Sequence, residues 1–154
     1  LREKTLPADA VAFMKECEAK NDYSNPKYQE YVQVMNEQYV DRKQPSKLYH
    51  IKNLGGDAVY HVFQGDNEFV ITGKLKDWHF RDQLKNIKVP TLLTFGEHET
   101  MPLATARTMD SLIPNSQLVT TPNGGHHHMV DNPDVYYKHL ADFIRAVENG
   151  TFNK

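Results

Sequence analysis

The chain has 154 residues, 39% of them hydrophobic, with a formal net charge of -2 and a single cysteine, Cys17. That length suits one ordinary domain or a piece of a larger one, and the near-neutral charge gives no electrostatic reason for nucleic acid or an anionic membrane as partner. No apolar run approaches the roughly 18 residues of a membrane span, no signal peptide opens the chain, and one cysteine excludes an intramolecular disulfide framework and fits a reducing cytoplasm.

In chain order, Leu1 is followed by a charged Arg-Glu-Lys run with no initiator methionine, which reads as a chain cut from something longer. Thr5 before Pro7 marks a helix start, with Val11, Met14, Cys17 and Phe13 supplying an apolar face. The 21–25 stretch breaks that helix. Asn25-Pro26 opens a second, on which Tyr28, Tyr31 or Val32, Met35 and Tyr39 recur at helical spacing. Residues 43–47, with Pro45, form a polar connection, and 48–54 fit no single pattern. Asp57 is placed to cap a short helix over 58–64, stopped by Gly65. An extended FVIT run then lies between two glycines, and the chain turns into Asp77-Trp78. Trp78 is expected to pack between the two halves of the chain.

From Arg81 a short helix leads into the most informative stretch. Two apolar, β-branched runs, 89–95 and 117–121, flank a segment with Leu103, Ala106, Met109 and Leu112 on one helical face. Strand, helix and strand within about thirty residues predict a right-handed βαβ unit with parallel strands. Loops after parallel strands lie at one edge of the sheet, where open α/β folds place their chemistry. Glu97, His98 and Glu99 lie in the first loop; Gly124, Gly125 and His126 to His128 lie in the second. A carboxylate and an imidazole brought together this way are two-thirds of a nucleophile–His–acid triad. Asn132-Pro133 opens a last helix, with Val135, Tyr136, Leu140, Phe143, Ile144 and Val147 on one face, ended by Gly150. The fold class read from this order is α/β, a mostly helical region over 1–75 followed by a βαβα unit over 76–154.

Three segments carry a family resemblance: GDNEFVITGKLKDW, IKVPTLLTFGEHETMP and PNGGHHHMVDNPDVYYKHLADFI. Together they resemble the carboxyl-terminal part of α/β-hydrolases of the proline iminopeptidase branch, and the first half, including NPKYQEYV, resembles that branch's helical cap. The resemblance implies a partial α/β-hydrolase fold, with His126 as catalytic His and Glu99 as triad acid, where most members carry Asp. The loop is one residue shorter than in most members, which leaves Glu97 as the rival acid. Glu68, within Asn-Glu-Phe, and Glu37 match the cap glutamates that hold a substrate's free α-amino group. The family's nucleophile sits in a G-x-S-x-G elbow, and none of Ser24, Ser46, Ser111 or Ser116 lies in one. The resemblance therefore implies the carboxyl-terminal part of a serine hydrolase that releases amino-terminal proline or a similar residue, inactive without its upstream half, with no cofactor.

The partners implied are a peptide or small amide with a free amino terminus and the missing amino-terminal half, with homo-oligomerisation as a further outcome of the uncovered sheet edge. An esterase or amino-acid amidase of the same branch would use the same groups. From a different class, a non-catalytic interaction or metal-binding module would use Glu99 and the three histidines as ligands. No H-E-x-x-H or spaced Cys/His set supports a metal site, so none is assigned.

Overall fold

A computed structural model describes residues 1–43 and 56–153. The 44–55 segment, which holds Ser46 and most of the polar connection and patternless stretch, lies outside the described residues.

The element order is α1 (Arg2–Thr5), α2 (Ala8–Ala19), α3 (Pro26–Tyr39), α4 (Asp57–Phe63), two 3-10 turns (Lys74–Asp77 and Arg81–Asn86), β1 (Thr91–Gly96), α5 (Leu103–Leu112), β2 (Ser116–Thr121), α6 (His128–Asp131) and α7 (Pro133–Glu148). α3 starts where the Asn-Pro signal puts it. The Asn25 side chain accepts from the Lys27 N–H, and Pro26 occupies a first-turn position whose missing N–H costs nothing. α4 begins one residue earlier than the sequence suggests, with Gly56 in the capping place. Gly65, at φ 111, turns the chain back after it.

Two apolar clusters hold the molecule. In the first, Ala10, Val11, Met14 and Cys17 of α2 meet Tyr28, Val32, Met35 and Tyr39 of α3. Tyr28 and Met35 are wholly buried, and side chains of this kind contribute about 1.5–3 kcal/mol each. In the second, Leu93 and Phe95 of β1 pack with Ala106 of α5 and Ile113.

β1 and β2 pair in parallel, Thr91 opposite Ser116 through Gly96 opposite Thr121, with α5 as the crossover. This is the βαβ arrangement expected from the sequence. β1 starts at Thr91 rather than Val89. Pro90 has no N–H for the ladder, which opens with Thr91 N–H donating to the Asn115 carbonyl.

One expectation, that for Trp78, needs correction, and two segments gain detail. The FVIT run is not a strand: Asn67 and Val70 form a single antiparallel bridge within a tight turn, because no neighbouring strand among the described residues is there to pair it. Trp78 does not pack between halves; it is 63% exposed and stacks on Phe80 at 4.8 Å between ring centroids. The apolar face of α7 is only half-covered, with Val135, Tyr136, Leu140 and Phe143 partly buried and Ile144 and Val147 exposed.

Candidate active site

The parallel register sets the site. Phe95 opposite Thr120 and Gly96 opposite Thr121 end both strands at the same level, so the two following loops leave side by side. They touch through backbone: Glu97 N–H donates to the Thr121 carbonyl at 3.0 Å and His98 N–H to the Gly124 carbonyl at 2.8 Å. Gly96 is needed for this approach, since a Cβ there would lie 2.1 Å from the Gly125 carbonyl oxygen.

At this junction Glu99 Oε1 is 2.6 Å from His126 Nδ1. A carboxylate only accepts, so Nδ1 carries the proton and the ring's second nitrogen is left as the base. The Glu99 side chain is 3% exposed while that of His126 is 37% exposed, so the acid is sealed in and the imidazole has one open side. Thr100 completes the acid's surroundings, its N–H at 2.8 Å and its hydroxyl at 2.9 Å both donating to the same oxygen. Burial alone raises the Glu99 carboxyl. The hydrogen bond and charge of His126, with the bonds from Thr100, outweigh it and hold the group below the ordinary carboxylate range. The bond to Glu99 lifts His126 above the ordinary histidine value against the opposing effect of burial, and the Glu99, Glu68 and Asp41 charges add to the lift.

The rival acid goes elsewhere. Glu97 Oε2 accepts from Asn123 N–H at 2.9 Å and tightens the second loop, whose Asn123 sits at φ 56. The three histidines also separate. His127 Nδ1 meets Asp41 Oδ1 at 2.6 Å, and buried His128 places Nδ1 3.2 Å from the Gly125 carbonyl and packs edge-on against Tyr136. Burial pushes His128 down, keeping it neutral. Among the described residues no group of three or more His, Cys, Asp or Glu could hold a metal ion.

Glu68 sits in the turn after α4, where Tyr60 OH donates to it at 2.8 Å. A cleft of about 260 Å³ is lined in part by Met35, Glu68, Phe69 and Thr100, so Glu68 opens onto the space beside the acid's own neighbour. Asn67 fixes that turn by accepting from Phe69 N–H and donating to the buried Tyr28 hydroxyl. The structure does not bring Glu37 to this group. Glu37 lies on the solvent side of α3, with Gln33 as its recorded partner, because the opposite face carries the buried residues. The described serines lie on other elements. Ser116 begins β2, roughly 16 Å of strand from the loop after it. Ser111 donates to the Thr108 carbonyl on α5, and Ser24 lies in the turn between α2 and α3.

Thr100, Asp41 and Asp131 have no marker in the sequence. Asp131 is 2% exposed, and its oxygens accept from Gly125 N–H at 2.7 Å and Lys43 N–H at 2.8 Å. Only the folded chain reveals these neighbours.

No protein-family model matches the chain. Among curated proteins it is 36% identical to a proline iminopeptidase of Thermoplasma volcanium over 80% of this chain and 43% of the relative. It is 32% identical to one of Saccharolobus solfataricus over 92% of this chain and 47% of that protein. In sequence the chain is similar to proline iminopeptidases, which places its likeness in the α/β-hydrolase superfamily. Solved structures agree. The crystal structure of a proline iminopeptidase of Mycobacterium smegmatis matches at a TM-score of 0.77 and 26% identity, covering 92% of this chain and 49% of that one. A crystal structure of VinJ matches in fold at a TM-score of 0.83, over 93% of this chain and 50% of that one. The chain spans about half the length of the curated relatives it matches. No helix among the described residues is long and apolar enough to cross a membrane.

Proposed function

We propose that these residues supply the general base, the triad acid and the amine anchor of a serine hydrolase that releases an amino-terminal proline or similar residue from a peptide. The observation that carries this reading is the 2.6 Å contact of His126 with buried Glu99, from two loops at one end of a parallel sheet. In it, a serine from outside the residues described attacks the carbonyl of the first residue. His126 takes the serine proton and returns it to the leaving amine, and Glu99 holds the ring's tautomer and stabilises its cation. Glu68, braced by Tyr60 beside the cleft, pairs with the substrate's ammonium group and limits cleavage to the first residue. Glu37 has no part in this reading.

The reading includes a cap over 1–75 and a core part over 76–154, supported by the two separate apolar clusters. It includes a cytoplasmic setting, supported by the single buried cysteine. The partners are the remaining part of the same hydrolase and a peptide or small amide with a free amino terminus. The test is hydrolysis of a prolyl anilide by the natural polypeptide that carries these residues and by this 154-residue chain alone. The expected result is turnover by the first, lost on His126→Ala, and none by the second. Turnover by the chain alone, with one of its serines labelled by a fluorophosphonate, would overturn it. So would full activity of the His126→Ala variant.

A further inference from the structure

His126 is gripped through its backbone as well as through its side chain. Its N–H donates to the Tyr39 carbonyl at 2.7 Å, and His127 N–H to the Val40 carbonyl at 3.1 Å. The residue before it is pinched between two elements. A Cβ on Gly125 would lie 2.7 Å from the Tyr39 oxygen and 2.8 Å from the Val40 oxygen, and the Gly125 carbonyl meets Gly96 at the end of β1. The position of the His126 ring therefore depends on where the stretch after α3 runs, although that stretch is more than eighty residues away in sequence.

One side chain closes this arrangement. Asp131 Oδ2 accepts from Gly125 N–H at 2.7 Å, and Oδ1 accepts from Lys43 N–H at 2.8 Å. The bonds make a ring: Asp131 to Gly125, along the chain to His126, across to Tyr39, along to Lys43, and back to Asp131. A buried carboxylate is costly unless its oxygens are satisfied, and here two backbone donors from separate segments satisfy it. An amide could not replace it, because its NH₂ would face one of the two N–H donors.

We propose that Asp131 is a positioning residue for the hydrolytic site, its carboxylate clamping the chain after α3 to the turn before His126 so that the imidazole is delivered onto Glu99. The inference rests on the functional reading above. Removing the clamp lets the 124–126 turn and the 39–43 stretch part, and the short Nδ1–Oε1 contact is the first thing lost. The charged groups acting on the His126 ring are Glu99 from the loop after β1, Glu68 from the turn after α4 and Asp41 from the end of α3, with neutral His128 on the following turn.

The experiment is an NMR titration of the chain with labelled histidines, in the parent and in Asp131→Asn, with the fold followed by circular dichroism and thermal melting. In the parent, His126 is expected to titrate above an ordinary histidine and to show a downfield Nδ1 proton. In the folded variant its midpoint should shift down towards the ordinary range and that proton should move upfield or vanish. In the natural polypeptide kcat should fall at an unchanged KM. A folded Asp131→Asn chain that melts earlier yet keeps both signatures overturns the clamp and leaves the functional reading standing. An ordinary titration of His126 in the parent overturns the reading and the clamp together. Should Asp131→Asn not fold, hydrogen exchange of the parent decides: slow exchange at both Gly125 and Lys43 amides supports the clamp, and free exchange at either overturns it.

Discussion

Asp41 Oδ1 lies 2.6 Å from His127 Nδ1, so the histidine beside His126 is tied to the end of α3 while His126 is tied to the loop after β1. The two rings stand 5.5 Å apart at their centroids. Adjacent residues are thereby anchored to opposite halves of the chain, and the charge of Asp41 reaches His126 through space as well. The His127 pair is about one-third exposed on both sides, so water screens it and it contributes little stability by itself. The His126 pair is different, because its acid is sealed from solvent.

That difference gives stability a particular dependence on pH. His126 is raised in the folded state, so its contribution is full below the ordinary histidine value of 6.5 and is lost as pH rises through the folded value. Glu99 is lowered, so its contribution is full above the ordinary value of 4.5 and is lost as pH falls through the folded value. Both partners are charged between those two reference values. Glu99→Gln should therefore cost most at about pH 5–6, on the order of 1–2 kcal/mol after allowing for the partly exposed ring, and progressively less above neutrality. Thermal melts across pH check this, and a deficit that grows with alkalinity would contradict it.

Reach separates the two candidate acids. Glu99→Asp shortens the side chain by one methylene and draws the carboxylate back by more than an ångström, beyond good hydrogen-bonding distance of Nδ1. In the natural polypeptide both Glu99→Asp and Glu99→Gln should lower kcat strongly, with losses of triad function reaching about 10⁴-fold. Glu97→Gln should change kcat little, since Glu97 is engaged with the Asn123 backbone. A dead Glu97→Gln variant beside an active Glu99→Gln would assign the acid to Glu97.

Tyr60 offers a test of the amine anchor that leaves the base and acid untouched. Its hydroxyl donates to Glu68, and burial, with that hydrogen bond and the carboxylate's charge, raises its pKa, so it stays a donor throughout the physiological range. Tyr60→Phe frees the carboxylate to turn away from the cleft. KM for substrates with a free amino terminus should rise about tenfold, equivalent to one lost hydrogen bond to a charged group, while simple esters are processed unchanged. An equal loss for both substrate types would remove Glu68 from amine recognition.

Gly125→Ala should lower stability by about 1–3 kcal/mol, because the added carbon meets two backbone carbonyls that have no room to retreat. Gly56→Ala, where nothing lies within 4 Å, is the matched control and should cost only a few tenths. Denaturant unfolding of the pair measures the difference, and equal midpoints would mean the stretch after α3 does not press on the histidine turn.

The site's outline was legible because it rests on local pattern. Two apolar, β-branched runs flanking a helically spaced segment over 89–121 predict parallel strands, and parallel strands place Glu99 and His126 at the same edge. The buried face of α3 was equally readable from Tyr28, Val32, Met35 and Tyr39. What escaped were the contacts that span the chain. Asp41 to His127 and Asp131 to Lys43 join residues 86 and 88 positions apart, and no spacing rule carries across such a distance. The resemblance puts Glu99 ahead of Glu97, but the partner that engages Glu97, the Asn123 backbone 26 residues on, was not visible in the sequence. The extended FVIT run forms no strand, because β-branched composition makes one only where a neighbour exists to pair it.

The bare backbone at Gly96 has a last consequence. Because the end of β1 rests directly on the carbonyls of Gly124 and Gly125, backbone meets backbone there and leaves little room to absorb a change in either loop. An insertion of a single residue after β1 would drive the histidine turn off its seat, and one before His126 would lift it from β1. The two loops are thus one exchangeable part. A transplant between homologues that moves the acid loop alone should yield a folded but mismatched protein, whereas moving both together should carry the geometry intact.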